Sequence, residues 1–299
     1  MLIFSGSSNK NLAQKLTDKL GAKLGDLEIH IFPDNENRVR VLGTVVDQDV
    51  LVVQSTGISP NLYYMELFFI LDSLKRSGAR SIGLVIPYLG YQRQDHIFRS
   101  GEAVSLEVII SILEGFGISK VISFDLHSVR IPQLFKTEVK HLSALPLFAE
   151  KIKDMKISDF VLVSPDMGGI ARIKKLSKLL GGAPFITVEK NRDLVTGDID
   201  SMKFSGEIKK TAVIVDDVIS TGKTLIAASD LLLKNGAEKI YVFATHGIFA
   251  GRAPHDLQES PGIEKVIVTD TISIPHDRRF SKLEIISVTN LIAEELKEN

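Results

Sequence analysis

Residues 212–224, AVIVDDVISTGKT, constrain the fold of this chain more than any other stretch. Residues 212–215 form an apolar, largely β-branched run with no turn former, the pattern of a strand buried in a parallel sheet. The strand is expected to end at two adjacent carboxylates, Asp216 and Asp217. Ser220, Thr221, Gly222, Lys223 and Thr224 then lead to a helical pattern that opens at Leu225. Small hydroxyl residues and glycine between a strand and a helix N-terminus make an anion cradle, because backbone N–H groups point outward there and the helix dipole favours a phosphate. The two acids suit sugar hydroxyls or a metal ion. A loop that offers both points to a ligand that is both sugar and phosphate.

Gly222-Lys223-Thr224 also looks like the tail of a Walker A loop. That motif needs a further glycine five positions before Gly222, where this chain has Asp217, and a carboxylate there would repel a nucleotide's phosphates. The Walker A reading is therefore rejected. A generic strand–turn–helix corner remains the plain alternative, and the acid pair at the carboxyl end of a buried strand weighs against it.

At 299 residues the chain fits two domains of about 150 residues each. Its composition, 44% hydrophobic and 24% charged, is that of a soluble globular protein. A formal net charge of −1 makes no electrostatic case for nucleic acid or an anionic membrane surface. No apolar run approaches the roughly 20 residues of a membrane span, and the opening MLIFSGSSNK lacks the basic start and apolar core of a signal peptide. The absence of cysteine excludes disulfides, thiolate metal sites and thiol nucleophiles. A cytoplasmic enzyme is the default expectation.

Strand and helix patterns alternate almost throughout, which predicts an α/β fold with largely parallel, doubly wound sheets. Strands are expected over 1–4, 28–32, 38–42, 50–54, 81–86, 120–124, 160–163, 185–188, 240–245 and 266–269, besides the central one. Helices are expected over 9–20, 61–76, 103–116, 144–155, 168–180 and 288–297. The segments DSLKRSGARSIGLVI and DLLLKNGAEKIYVFA match at a constant offset, pairing Asp72 with Asp230, Gly78 with Gly236 and Ile82 with Ile240. A helix, Gly-Ala, strand connection is common in α/β proteins, yet the match favours an internal duplication. The expected domains are 1–143 and 144–299, with the Asp-Asp loop only in the second.

Other stretches also carry chemistry. PDNEN places Asp34, Asn35 and Glu36 between two strands, where they suit either a purine edge or an ordinary polar turn. PYLGYQRQDHIFRSGEA leaves a strand and concentrates Arg93, Gln94, Asp95, His96, Arg99 and Glu102 among aromatic residues; arginine forks pair with phosphate oxygens. FDLHS ends another buried strand with Asp125 and His127, which on one strand face would both reach a single metal. VSPDMGG sets Asp166 before two glycines that open a helix, so Asp166 is either a cap or a ligand group, with the glycines allowing close backbone approach. Lys190 and Arg192 follow a strand and precede a polar segment; two cations so spaced can close over developing negative charge.

In this order, FPDNENRV, RQDH, FDLHS, VSPDMGG, EKNR and VIVDDVISTGKT resemble the ribose-phosphate pyrophosphokinase (phosphoribosyl pyrophosphate synthetase) family over essentially the whole chain. The Asp-Asp loop alone is shared with the wider phosphoribosyltransferase superfamily. The resemblance implies two phosphoribosyltransferase-like domains and a Mg²⁺-dependent reaction in which ATP and ribose 5-phosphate give phosphoribosyl pyrophosphate and AMP, by attack of the anomeric hydroxyl on the β-phosphorus. It implies that Asp216 and Asp217 hold ribose hydroxyls and that residues 220–224 wrap the 5-phosphate. Phe32, Asp34, Asn35 and Glu36 would meet the adenine, Arg93, Gln94 and Asp95 the nucleotide, and His127, Asp166 and Asp125 the Mg²⁺. Lys190 and Arg192 would lie on a mobile catalytic loop, and a homo-oligomer is expected. Departures from the family pattern are VRIPQLF after FDLHS, His96 after RQD, and Lys223. The alternatives are a phosphoribosyltransferase that consumes phosphoribosyl pyrophosphate, which leaves residues 1–140 unexplained, and a non-catalytic regulatory relative.

Overall fold

Alternate residues of the apolar runs are buried on opposite sides of their sheets, and this decides the architecture. The computed structural model describes residues 1–192 and 199–298. These residues fall into two compact units, one of 1–142 with 271–273 and 287–298, the other of 143–270 with 274–286.

The first unit runs β1 (Leu2–Ser5), α1 (Lys10–Leu20), β2 (Lys23–Leu24), β3 (Asp26–Ile31), β4 (Asn37–Leu42), β5 (Asp49–Val53), α2 (Pro60–Arg76), β6 (Ser81–Val85), α3 (Ser105–Gly115), β7 (Lys120–Phe124), α4 (Ile131–Leu134) and β8 (Glu138–Leu142). Its sheet has the order β2-β1-β5-β6-β7-β8, and every pair is parallel. β3 and β4 form a separate antiparallel ribbon. Val50, Val52, Ile82, Leu84 and Val121 pack with Leu67 and Leu71 of α2 and Leu106 and Ile110 of α3. Their strand neighbours Ile3, Leu51, Val53, Val85 and Ile122 are equally buried, as parallel strands covered on both faces must be. Each such side chain contributes about 1.5–3 kcal/mol on full burial.

The second unit runs α5 (Leu145–Asp154), β9 (Phe160–Ser164), α6 (Ile170–Leu179), β10 (Phe185–Arg192), β11 (Ile199–Ser205), β12 (Thr211–Ile219), α7 (Lys223–Lys234), β13 (Lys239–Gly247), α8 (Ala253–Glu259), β14 (Ile263–Thr269) and β15 (Leu283–Ile286). Its sheet has the order β11-β10-β9-β12-β13-β14-β15, parallel except for the β10–β11 pair. Val161, Val163, Ala212, Ile214, Val242 and Ala244 face a core with Leu225 and Leu232 of α7. Leu162, Val213, Val215 and Phe243 face the opposite core with Phe148 of α5 and Leu176 of α6. Apart from β11, the order β10-β9-β12-β13-β14-β15 reproduces that of the first sheet strand for strand, the topology that a duplication predicts.

The structure departs from the sequence reading in several places. β12 does not stop at the acids but continues through them to Ile219, paired with β13 as far as Gly247. β10 runs on through the backbone of Lys190 and Arg192, which pairs antiparallel with β11. The edge strands β8 and β15 carry half-exposed, mixed patterns that alternation alone does not reveal. The last helix, α9 (Thr289–Lys297), was expected with the second half. It belongs with the first unit, where it packs on α1 and Lys140 Nζ lies 3.4 Å from Glu295 Oε1.

The carboxyl edge of β1 and β5 is closed by a buried polar network. Glu66 of α2, 2% exposed, accepts from Ser7 N and Ser7 Oγ, each at 2.7 Å, and from Gln54 Nε2 at 2.8 Å. Gln54 Oε1 in turn accepts from Ser8 Oγ at 2.7 Å. The main-chain oxygen of Thr271 accepts from Ser55 Oγ at 2.6 Å and Asn9 Nδ2 at 3.4 Å. Glu66 is buried, while Ser7 still reaches solvent and Gln54 Nε2 keeps Tyr63 O at 3.3 Å, so Glu66→Ala is expected to cost about 1–2 kcal/mol in denaturant unfolding. A loss below about 0.5 kcal/mol would show that the network carries no stability.

Candidate functional site

In an open parallel sheet the crevice lies at the carboxyl edge where the winding direction reverses. In the second unit that point falls between β9 and β12, since the chain passes from β9 outward to β10 and from β12 the other way to β13. Asp166 follows β9, and Asp216 and Asp217 lie on the last part of β12. Arg172, in the first turn of α6, spans the acids: Nη1 lies 3.1 Å from Asp216 Oδ1 and Nη2 lies 3.3 Å from Asp217 Oδ1. Asp216 Oδ1 also accepts from the N–H of Asp217 at 2.8 Å.

The two acidic side chains are 13% and 6% exposed. Burial pushes the Asp216 carboxyl well above the ordinary carboxylate range, and the charge of Asp217 adds to it. The Arg172 guanidinium opposes the rise, while Asp166 reinforces it. Among the described residues Arg172 thus bridges two adjacent carboxyl groups, with the charge of Asp166 acting on Asp216 as well, an arrangement that suits hydroxyl donors or a cation. Arg172 was missed in the sequence reading. Its signal was a cation three residues past Gly169, at the first turn of the helix that opens beside the acids.

Asp166 Oδ1 accepts from Gly169 N at 3.2 Å, so it does cap the short turn that precedes α6. A Cβ on Gly169 would fall 2.3 Å from Ser164 Oγ. The close approach that Gly169 allows is thus to the protein's own strand. At the far end of β12, Ser220 and Thr221 lead to Gly222, whose φ of +74° is costly for any residue with a side chain. Lys223 and Thr224 begin α7, and no side chain caps that helix. Its first N–H groups keep the positive end of the dipole for a ligand.

The corresponding edge of the first unit differs. Gln54 stands where Asp216 stands, and Glu66, Ser7, Ser8 and the 271–273 segment fill the crevice. The other expected site residues of this unit lie on three loops. Phe32, Asp34, Asn35 and Glu36 form the tip of the β3–β4 ribbon, braced by Phe32 N to Glu36 O at 2.7 Å, Asn35 N to Phe32 O at 2.9 Å and Glu36 N to Asp34 Oδ1 at 3.2 Å. The Phe32 ring is 37% exposed, with the Arg38 guanidinium 5.8 Å from its centre. In the loop after β6, Gln94 Oε1 accepts from Ser105 Oγ at 2.7 Å, and Asp95 Oδ1 lies 2.7 Å from His96 Nδ1. Arg93 is exposed.

β7 ends at Phe124, before Asp125, whose φ is +30°. Asp125 and His127 are therefore not on one strand face; Asp125 is buried and His127 exposed. Among the described residues no three His, Asp or Glu side chains converge to hold a metal ion. Lys190 and Arg192 are placed by their backbone on β10, in the unit that carries the acid pair.

Comparison with known proteins covers the whole chain. The profile described as the N-terminal domain of ribose phosphate pyrophosphokinase matches residues 1–117, and that of the phosphoribosyl synthetase-associated domain matches residues 187–298. A ribose-phosphate pyrophosphokinase of Gloeobacter violaceus is 37% identical over 293 residues, 98% of this chain and 88% of the relative. One from Bacillus caldolyticus is 35% identical over 98% of this chain and 92% of its own length. The crystal structure of phosphoribosylpyrophosphate synthetase from Mycobacterium smegmatis superposes with a TM-score of 0.92 at 32% identity, covering 99% of this chain and 97% of that one.

The raised Asp216 carboxyl makes a signed prediction. An acid whose pKa is higher folded than unfolded lowers stability as pH rises from its unfolded value of 3.8 through its folded value. Asp216→Asn removes that loss. The variant is expected to melt a few degrees above the parent at pH 8, with the difference shrinking toward pH 4. A difference that stays constant from pH 8 to pH 4 would contradict the raised value.

Proposed function

The chain belongs to the ribose-phosphate pyrophosphokinase family, diphosphate-transferring enzymes, and from that membership we propose that it converts ATP and ribose 5-phosphate into phosphoribosyl pyrophosphate and AMP. The observation that carries the reading is the crevice between β9 and β12. There the Asp216–Asp217 pair stands at one end of a short loop and the uncapped N-terminus of α7 at the other. Hydroxyls of the ribose donate to Asp216 and Asp217, and Arg172 keeps the two carboxyl groups oriented while they accept. The 5-phosphate takes the N–H groups and hydroxyls of residues 220–224.

The first unit supplies the nucleotide side. Phe32, Asp34, Asn35 and Glu36 take the adenine, and Arg93, Gln94 and Asp95 take the rest of the nucleotide. The anomeric oxygen forms a bond to the β-phosphorus, the bond from that phosphorus to the oxygen bridging to the α-phosphorus breaks, and AMP leaves. The hydroxyl proton goes to solvent. Lys190 and Arg192 stabilise the charge that spreads over the transferring group, and positioning with charge stabilisation suffices for a loose transition state.

Asp125, Asp166 and His127 are the residues we assign to Mg²⁺. Mg²⁺ keeps most of its shell for water and substrate phosphate and needs only one or two carboxylates, so each of these residues would serve an ion singly beside substrate oxygens. When bound it neutralises charge on the β- and γ-phosphates. No helix among the described residues is long and apolar enough to cross a membrane, and we read the enzyme as a cytoplasmic homo-oligomer.

Incubation of the purified chain with ATP, Mg²⁺ and ribose 5-phosphate is expected to release AMP without ADP or orthophosphate. Lys190→Ala is expected to lower kcat by about 10²- to 10³-fold with the KM for ribose 5-phosphate nearly unchanged. An absence of AMP from the parent chain would overturn the reaction, and an unchanged kcat would remove Lys190 from it.

A further inference from the structure

Three successive backbone N–H groups just after β7 are held from two sides. Asp125 N donates to Leu142 O at 2.9 Å, and Leu126 N donates to His141 Nε2 at 2.9 Å; both acceptors lie on β8, the strand beside β7. His127 N donates instead to the side chain of Gln92, with Oε1 at 3.0 Å. Gln92 comes from the loop after β6, the strand on the other side. It stands immediately before the exposed Arg93.

Gln92 is 1% exposed, and its Nε2 is a buried donor with no acceptor among the described residues. The orientation of the amide is nevertheless settled, since a reversed carboxamide would set two donors against each other at His127. A side chain retained only for packing would be better apolar, because an unsatisfied buried donor carries a desolvation penalty with no return. Among the described residues the Gln92 side chain's hydrogen bond is the one that Oε1 accepts from His127 N. Both segments also carry a non-glycine residue at positive φ, Tyr91 at +64° and Asp125 at +30°. Such conformations persist only where neighbouring contacts over-determine the backbone.

We propose that Gln92 is a positioning residue, whose carboxamide joins the 91–95 segment to the 125–128 segment and so sets His127 in register with Arg93 for the metal-bound phosphates of the nucleotide. The proposal rests on the pyrophosphokinase reading for its purpose, but not for its geometry. β8 holds the first two N–H groups of the 125–128 segment whatever Gln92 does, so only His127 depends on it. The coupling is local to one side of the reaction. It acts on the nucleotide and leaves the sugar phosphate's site on β12 and α7 untouched.

The test uses the full chain with two substitutions. Gln92→Met keeps the length and removes the acceptor, whereas Gln92→Glu keeps an acceptor oxygen toward His127. In Gln92→Met, amide exchange at His127 read by NMR is expected to quicken about tenfold or more, with Asp125 and Leu126 unchanged. The KM for Mg·ATP is expected to rise about tenfold while that for ribose 5-phosphate stays within about twofold. Gln92→Glu is expected to restore both. The proposal is overturned if Gln92→Met matches the parent in His127 exchange or in ATP KM, if both substrates' KM values rise together, or if Gln92→Glu loses as much as Gln92→Met. A parent chain that makes no AMP would sink the pyrophosphokinase reading instead, and the exchange measurement would still decide whether Gln92 holds His127.

Discussion

Parallel pairing sends the carboxyl end of every strand to the same edge of its sheet, and nearly all the chemistry of this chain follows from that constraint. A parallel sheet must be covered on both faces, so helices connect its strands. The loops that enter those helices then gather along one edge. In the second unit the loop after β9 and the acids of β12 meet because the two strands are neighbours although about 50 residues separate them in the chain. In the first unit the same rule brings the loop after β6 beside the segment after β7.

At the β9–β12 crevice the fold stores unfavourable electrostatics. Asp216 and Asp217 share the Arg172 guanidinium, and the Asp216 carboxyl is raised by burial and by its neighbour, with Asp166 adding to the rise. A chain selected for stability alone would not keep three acids there. The first unit shows what the same topology does when that demand is absent. It replaces Asp216 with Gln54 and turns the carboxylate of Glu66 inward, where two hydrogen-bond donors of Ser7 and one of Gln54 satisfy it. One copy of the crevice is closed by its own polar side chains, and the other carries the acid pair and Arg172.

Much of the proposed site stands together in the sequence. The acid pair, the hydroxyl-rich turn and the helix start form one contiguous stretch, so local chemistry alone pointed to sugar and phosphate. The expectation that Asp125 and His127 share a strand face failed, because the strand stops at Phe124. Arg172 and Gln92 were not picked out. Gln92 lies in a stretch that was singled out but was not itself chosen, and each of the two acts through a partner, 44 residues away for Arg172 and 35 for Gln92. The glycine pair after Asp166 was read as room for a ligand, when at Gly169 the room is needed by Ser164.

The sequence by itself determined the α/β class, the doubled topology and the stretch proposed for the sugar phosphate. These depend on period-two burial and on backbone chemistry within a few neighbouring residues. Tertiary structure alone decided that β12 runs on past its acids, that α9 returns to the first unit, and that Glu66 fills the first unit's crevice. Each of those outcomes turns on a pairing between distant segments, a β13 partner for β12, an α1 surface for α9, and a Glu66 within reach of Ser7. No local pattern encodes such pairings, because their free energy exists only once both partners are in place.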